Sequence, residues 1–368
     1  MLPLCLFALF PVSCAFKFLF MSQVHYSDYL QLDKILNAQF PESDKKQQPA
    51  HDEMLFIIIH QAYELWFKQL LYETDSANAI LKTPALNDNS PELQTVVHRL
   101  SRVVTILKVL VHQIDIMESM TPMDFLDFRD MLRPASGFQS WQFKALEAKL
   151  GLKYQQRHEQ GYYISQLRQE QIDIIKQTEN EKSLLELLNA WLERMPFFEE
   201  EQNWKNYKTT APSNEKASGG AFWTDYRHIY VTGLAEAEQS NRNFFNEVFD
   251  DASQQTDRHL SPRACRAALF IMLYRGYPIL QLPFQLLNSL LEIDEQLSTW
   301  RYRHMSMVHR MIGSRIGTGG STGRDYLKGA LDKHYIFAEI ARLTSFLIER
   351  KKLPILSPEM ERRLGFSS

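Results

Sequence analysis

Met54 to Leu81, MLFIIIHQAYELWFKQLLYETDSANAIL, runs without glycine or proline and is apolar on most faces between Leu55 and Leu71. A stretch of that length with no chain breaker reads as a helix, and one apolar nearly all round has to be buried, so it is expected at the centre of the fold. After a break at Asn87 to Pro91, Leu93 to Met117 repeats apolar residues at three- and four-residue steps, which predicts a second long helix packed on the first. Upstream, YSDYLQLDKILNAQF from Tyr26 predicts one short amphipathic helix ending before Pro41, followed by a polar loop. Downstream, Thr121-Pro122 with Asp124 has the form of an N-cap, a proline at N1 and an acidic N3, opening a short helix through Arg129 that must end near Pro134. Gly137 to Leu150 resumes helix.

Residues 151–260 are more polar, with helical patches at 163–177 and 182–194, a linker from Trp204 to Gly220 and a helix around 222–250. They read as a helical excursion from the core and not as a second domain. Ala264 to Tyr274 and Gln285 to Trp300 predict apolar helices separated by Pro278 and Pro283, and Tyr326 to Leu347 the last substantial one. Nothing alternates at period two for long enough to require a sheet, and no internal repeat is evident. The expected fold is all-α. Residues 51–368 form one helical domain with long central helices, and residues 21–50 an N-terminal helix and loop.

A chain 45% hydrophobic and 23% charged, with a formal net charge of −3, is an ordinary globular protein with a large core, and no polybasic tract calls for nucleic acid. Cys5, Cys14 and Cys265 cannot build a disulfide framework or a thiolate cluster, which points to a reducing compartment. Residues 1–20 are apolar and Ser13-Cys14-Ala15 looks like a signal-peptide cleavage site, but there is no basic n-region and Pro3 and Pro11 make a poor membrane helix. A start at Met21 is the competing reading. The balance favours a cytoplasmic protein without stable membrane insertion, with secretion as the weaker alternative.

Chemistry concentrates at Trp300 to Gly323, WRYRHMSMVHRMIGSRIGTGGSTG. At about 100° per residue, Trp300, His304, Met307, Val308 and Met311 share a face, whereas His309 lies about 140° away. His304 therefore sits among apolar side chains, either as a core histidine bonded to a backbone carbonyl or as the ligand of a haem iron. Gly317, Gly319, Gly320 and Gly323, with Thr318 and Ser321, make a loop able to turn N–H groups and hydroxyls toward an anion, or a plain surface turn. His60 occupies the central helix with Phe56, Tyr63, Glu64 and Phe67 within two turns, and two such histidines could flank a planar cofactor. Arg129 lies on a short, aromatic-rich helix between Phe125 and Arg133 and pairs either with a substrate carboxylate or with Asp124, Asp127 or Asp130. No histidine has a glutamate three residues before it and HExxH is absent, which disfavours a di-iron bundle and a zinc hydrolase.

HDEMLFIIIHQAYELWFKQLLYE, DFLDFRDMLRPASGFQSWQF and WRYRHMSMVHRMIGSRIGTGGSTG closely resemble the signature blocks of the tryptophan 2,3-dioxygenases in their animal form. The likeness runs from about Tyr26 to Leu347, is weakest across 151–260 and is absent before Met21. It implies a haem b enzyme, ferrous when active, that opens the indole C2–C3 bond of L-tryptophan with O2 to give N-formylkynurenine, in an all-α homotetramer. It implies His304 as the axial iron ligand, His60 as the distal histidine bonded to the indole N–H, and Phe56 packed on the ring. Arg129 would hold the substrate carboxylate and Thr318 its ammonium, with Ser136 and Gly137 lining the pocket. At Phe125, where some bacterial members have a tyrosine contacting the carboxylate, this chain has no hydroxyl.

The resemblance further implies that Tyr26 and Tyr29 close the site of a neighbouring subunit. Trp191 and Arg194, in AWLERMP, resemble part of a second, non-catalytic tryptophan site and equally a helix end packed on its neighbour. A haem or tryptophan sensor without turnover, or a degenerate homologue, is the alternative, and a purely helical interaction module a third.

Overall fold

The structure, a computed structural model, describes residues 23–84, 86–87, 89–157, 164–194, 201–252, 258–313, 315, 327–329, 331 and 333–365. Among them there is helix, turn and irregular chain and no strand, as an all-α fold requires. No helix among the described residues is long and apolar enough to cross a membrane. Residues 1–20, and with them the signal-like segment, lie outside the described residues.

The chain divides into two compact units, Met1–Phe40 and Pro41–Ser368. In the first, the single expected helix is two, α1 (Tyr26–Leu30) and α2 (Leu32–Leu36). Gln31 takes φ 53°, a left-handed conformation that ends one helix and starts the next. Neither helix has a buried residue.

The second unit opens with α3 (Glu42–Lys45), inside what reads as a polar loop. The buried carboxylate of Glu53 holds it by accepting from Glu42 N and Ser43 N at 2.8 and 2.9 Å. The central helix α4 (His51–Leu81) and α5 (Pro91–Met117) follow; Ser90 caps α5 by accepting from Leu93 N. Next come α6 (Pro122–Arg129), with the capping box of Thr121 and Asp124 in place, and α7 (Trp141–Leu150), which a break at Ser140 separates from the 3-10 turn Gly137–Gln139. The polar region supplies α8 (Gln169–Asn180), α9 (Leu184–Glu193), α10 (Ala221–Thr232) and α11 (Asn241–Phe249). The expected helix at 222–250 is thus interrupted, with Gly233 as the C-cap of α10.

α12 (Pro262–Leu273) leads to α13 (Pro278–Ile312), the longest element at 35 residues. Pro283 does not divide it, contrary to expectation. It sits in the second turn, where its missing N–H forfeits only the bond to the Ile279 carbonyl. The expected long helix at 326–347 is also absent as one element. The carboxylate of Asp294 accepts from Ile336 N and Phe337 N at 3.1 and 2.5 Å, drawing the chain out of helix before α14 (Ala338–Arg342). A last helix, α15 (Pro358–Leu364), closes the described chain.

α5 packs against both α4 and α13, and α7 packs on α4. Leu70, Leu100, Leu286 and Leu290 are fully buried between them, each contributing about 1.5–3 kcal/mol of transfer free energy. Leu184, Trp191, Phe222 and Phe245 of the polar excursion belong to the same cluster. The burial of α4 is nonetheless one-sided. Ile58, Leu65 and Tyr72, at seven-residue steps, are 48%, 55% and 70% exposed, and Val109 and Ile116 of α5 are also exposed. A second, smaller cluster of Ile59, Met117, Met120, Phe128 and Met311 joins the start of α4, the ends of α5 and α13, and α6. That junction places the site.

Candidate functional site

Beside the smaller cluster lies a cavity of about 680 Å3 lined by α4, α6 and α13 together. α4 contributes Phe56 and His60, one turn apart; α13 contributes Trp300, His304 and Met307 on one face; α6 contributes Phe125 and Arg129. Ser136 and Gly137 line it from the turn before α7. A Cβ added at Gly137 would meet nothing within 4 Å, so glycine leaves the wall open there. Six of the residues singled out in the sequence therefore meet at one cavity: Phe56, His60, Arg129, Ser136, Gly137 and His304. Thr318 and the glycine-rich loop lie outside the described residues. Tyr26 and Tyr29 belong to the other unit and are 72% and 75% exposed.

The two histidines are held differently. His60 Nδ1 lies 2.7 Å from the Phe56 carbonyl oxygen, which can only accept, so Nδ1 carries the proton and Nε2 the lone pair. Its ring packs 4.1 Å from that of Phe56, which in turn meets Phe125 and Phe128 at 5.7 and 5.5 Å. Desolvation pushes the His60 pKa below 6.5 against the Phe56 bond and the Glu64 charge, which favour the charged form. His60 borders the open cavity and is still surrounded by enough protein to be kept neutral.

The His304 ring stacks on Trp300, centroids 5.0 Å apart and planes within 4°, and Tyr63 and Phe143 pack edgewise or tilted on the same indole. Burial, with a smaller contribution from His60, lowers the His304 pKa to about 4. Its Nδ1 is buried without a hydrogen-bond partner. A backbone carbonyl, the structural role open to a core histidine, is not within bonding reach of that nitrogen.

Arg129 is 4% exposed. Of its three possible acidic partners, Asp124 accepts from Thr121 N and Oγ1 in the capping box, and Asp130 pairs with Arg133 at 3.4 Å. Trp191 is 1% exposed inside the main core, so it presents no open stacking face, and Arg194 is the C-cap of α9.

One part of the wall had no sequence signal. Glu147 of α7 receives Arg157 Nη1 and Arg301 Nη2, each at 2.6 Å, and all three border the cavity while 4–5% exposed. Burial works to raise the Glu147 pKa, but Arg157, His334 and Arg301 outweigh it and hold the carboxyl well below the usual range. Arg301 lies one turn before His304, so this cluster ties the helix bearing His304 to α7. Lys144, next to Arg157 and also at the wall, is lowered to about 7 by burial and by that arginine.

A family model described as tryptophan 2,3-dioxygenase matches residues 14–347. The chain belongs to the tryptophan 2,3-dioxygenase family. It is 42% identical over 359 residues to the tryptophan 2,3-dioxygenase of Bdellovibrio bacteriovorus, covering 93% of this chain and 98% of the relative. It is 43% identical over 354 residues to that of Xenopus laevis, with 92% and 86% covered, and 41% identical over 360 residues to that of Dictyostelium discoideum, with 94% and 88% covered. Identity is level across bacterium, amphibian and amoeba, so it fixes the tryptophan 2,3-dioxygenase family and not its animal branch. The match also begins at residue 14, earlier than the Met21 boundary read from the sequence.

Proposed function

We propose that this protein is a haem-dependent tryptophan 2,3-dioxygenase, opening the indole C2–C3 bond of L-tryptophan with O2 to give N-formylkynurenine. The carrying observation is the pair His60 and His304, two imidazoles kept neutral on different helices at one apolar cavity. The residues fit a haem. His304 is a neutral imidazole at the cavity wall whose Nδ1 is enclosed by protein, which leaves Nε2 to offer an iron, and among the described residues no cluster of three or more His, Cys, Asp or Glu could hold a bare metal ion. His304 would hold ferrous haem b, which supplies O2 activation when bound.

The protein's own part is binding and orientation. His60 presents the Nε2 lone pair to the indole N–H, and Phe56 packs against the ring. Arg129, a buried guanidinium, receives the carboxylate with no help from a hydroxyl at Phe125, while Ser136 and Gly137 leave room at the wall. Thr318 takes the ammonium by family resemblance. The exposed apolar stripe on α4 and α5 supports burial against further copies in a homotetramer, and the absence of buried residues in α1 and α2 supports their tyrosines, Tyr26 and Tyr29, serving a neighbouring copy's site. Cysteine use supports a cytoplasmic setting.

Purified protein should show a Soret band and tryptophan-dependent O2 uptake; a Soret band without uptake would reveal a non-catalytic sensor. His304→Ala should lose haem, whereas His309→Ala, on the exposed side of α13, should keep it. Full haem retention by His304→Ala would overturn the ligand assignment.

A further inference from the structure

Apart from the central cavity, a second concavity of about 680 Å3 lies at the corner between α12 and α13, closed by the segment around Arg350. Leu273, Phe284 and Leu353 give it apolar walls. Two tyrosines also line it, but their hydroxyls are engaged: Tyr274 donates to the Pro354 carbonyl at 2.7 Å and Tyr277 to Glu361 at 3.2 Å. Among the described residues that line the concavity, Arg275 and Arg350 are the only charged ones, with the Glu361 carboxylate behind Tyr277, and no described carboxylate forms an ion pair with either arginine. Glu349, beside Arg350, gives its two oxygens to Lys351 and Lys352 at 2.8 and 2.7 Å.

The cationic groups are also poised. The Arg275 guanidinium lies over the Phe284 ring, 4.8 Å from its centroid, so the ring restrains its face while its N–H edge stays available. α13 begins at this wall with no side-chain cap on Tyr277, adding the partial positive charge of a long helix's N-terminus. Gly276 lines the same wall, and a Cβ added there would meet nothing within 4 Å.

We infer that this concavity is a second ligand site, taking an aromatic carboxylate whose anionic end is held by Arg275 and Arg350 and whose ring lies on the apolar wall. A carboxylate matches the guanidinium fork, and the leucine and phenylalanine surface selects an organic anion over an inorganic one. Neither arginine lines the central cavity, so the inference stands apart from the haem reading.

The experiment titrates indole-3-acetate into the full-length protein by calorimetry, in the Arg129→Leu background so that the central site is weakened. Saturable binding is expected. Both Arg275→Gln/Arg350→Gln and Gly276→Leu should weaken it by at least about tenfold, the first by removing charge-assisted bonds and the second by filling the space. Thermal unfolding should be unchanged, because both arginine side chains are exposed. No saturable binding, or equal affinity in the double variant, overturns the site. Inorganic phosphate binding as tightly and displacing the probe overturns the aromatic assignment.

Discussion

The proposed contact between His60 and the indole N–H can be tested by removing the donor without adding bulk, using the benzofuran analogue of tryptophan, in which oxygen replaces the N–H. His60 Nδ1 is committed to the Phe56 carbonyl at 2.7 Å, so the ring cannot present a second donor to a substrate oxygen; Nε2 faces it lone pair to lone pair. The imidazole is neutral because burial lowers its pKa, so the contact with tryptophan is a bond between neutral groups. Losing it and leaving Nε2 unsatisfied costs about 1–3 kcal/mol, or about five- to 150-fold in affinity. In His60→Ala no polar atom is left to orphan, and tryptophan and the analogue should bind within about threefold of each other. Binding is read from the perturbation of the Soret band on titration, with haem content measured for each protein. If His60→Ala discriminates the two ligands as strongly as the unmodified protein does, His60 does not read the N–H.

Arg129→Leu should weaken tryptophan far more than tryptamine, which has no carboxylate to lose; equal losses would make Arg129 structural. Glu147→Gln removes the charge that holds Arg157 and Arg301 at 2.6 Å each and should cost about 3–5 kcal/mol in denaturant titration, whereas a loss below about 1 kcal/mol would show that the two guanidiniums find other partners. For the apoprotein, both histidine pKa values lie below 6.5, His304 at about 4, so as pH falls through 6.5 the unfolded chain takes up protons that the folded chain does not. The contribution of these histidines to stability should therefore be undiminished above pH 6.5 and fall between 6.5 and about 4, by roughly 2 kcal/mol or less after screening by cavity water. Urea titrations of the protein and of His304→Leu should show the slope reduced in the variant; an identical slope would place the titration elsewhere.

What the sequence made legible followed from local rules. α4, α5 and the cap of α6 were readable because apolar spacing and Thr121-Pro122-x-Asp124 are set within a turn or two. The errors arose where distant groups decide. Asp294 captures two N–H groups from Ile336 and Phe337 and breaks a stretch whose own periodicity is helical, and Gln31 leaves helix through a left-handed residue that no breaker announces. Pro283 misled in the other direction, because its position in the second turn makes it nearly harmless. The face shared by Trp300 and His304 was legible, and the structure stacks the two rings. That a histidine and Arg129 could together suit one amphoteric aromatic substrate was legible from residue type, while the family resemblance assigned them to one site; Glu147 with its two arginines was not legible at all, since nothing near Arg301 in the chain marks a partner on α7.

In the proposed site both histidines sit on the two longest helices, α4 and α13, and the arrangement gives a reason. A metal ligand and a hydrogen-bond acceptor both require a neutral imidazole, and burial is what keeps both His60 and His304 neutral. Burial alone would leave the ring orientations free, and each is fixed by a different local device: a carbonyl one turn back for His60, and an indole one turn back for His304. Both devices work at helical spacing, so they operate only if α4 and α13 keep their shape and their placement across the cavity. α5, packed on both, sets that placement from one side, and the Glu147 cluster sets it from the other by tying Arg301 to α7, which itself packs on α4. Removing a charge at Glu147 should consequently disturb haem retention as well as stability, whereas trimming an exposed apolar residue such as Ile58 should leave the cavity intact and alter only assembly.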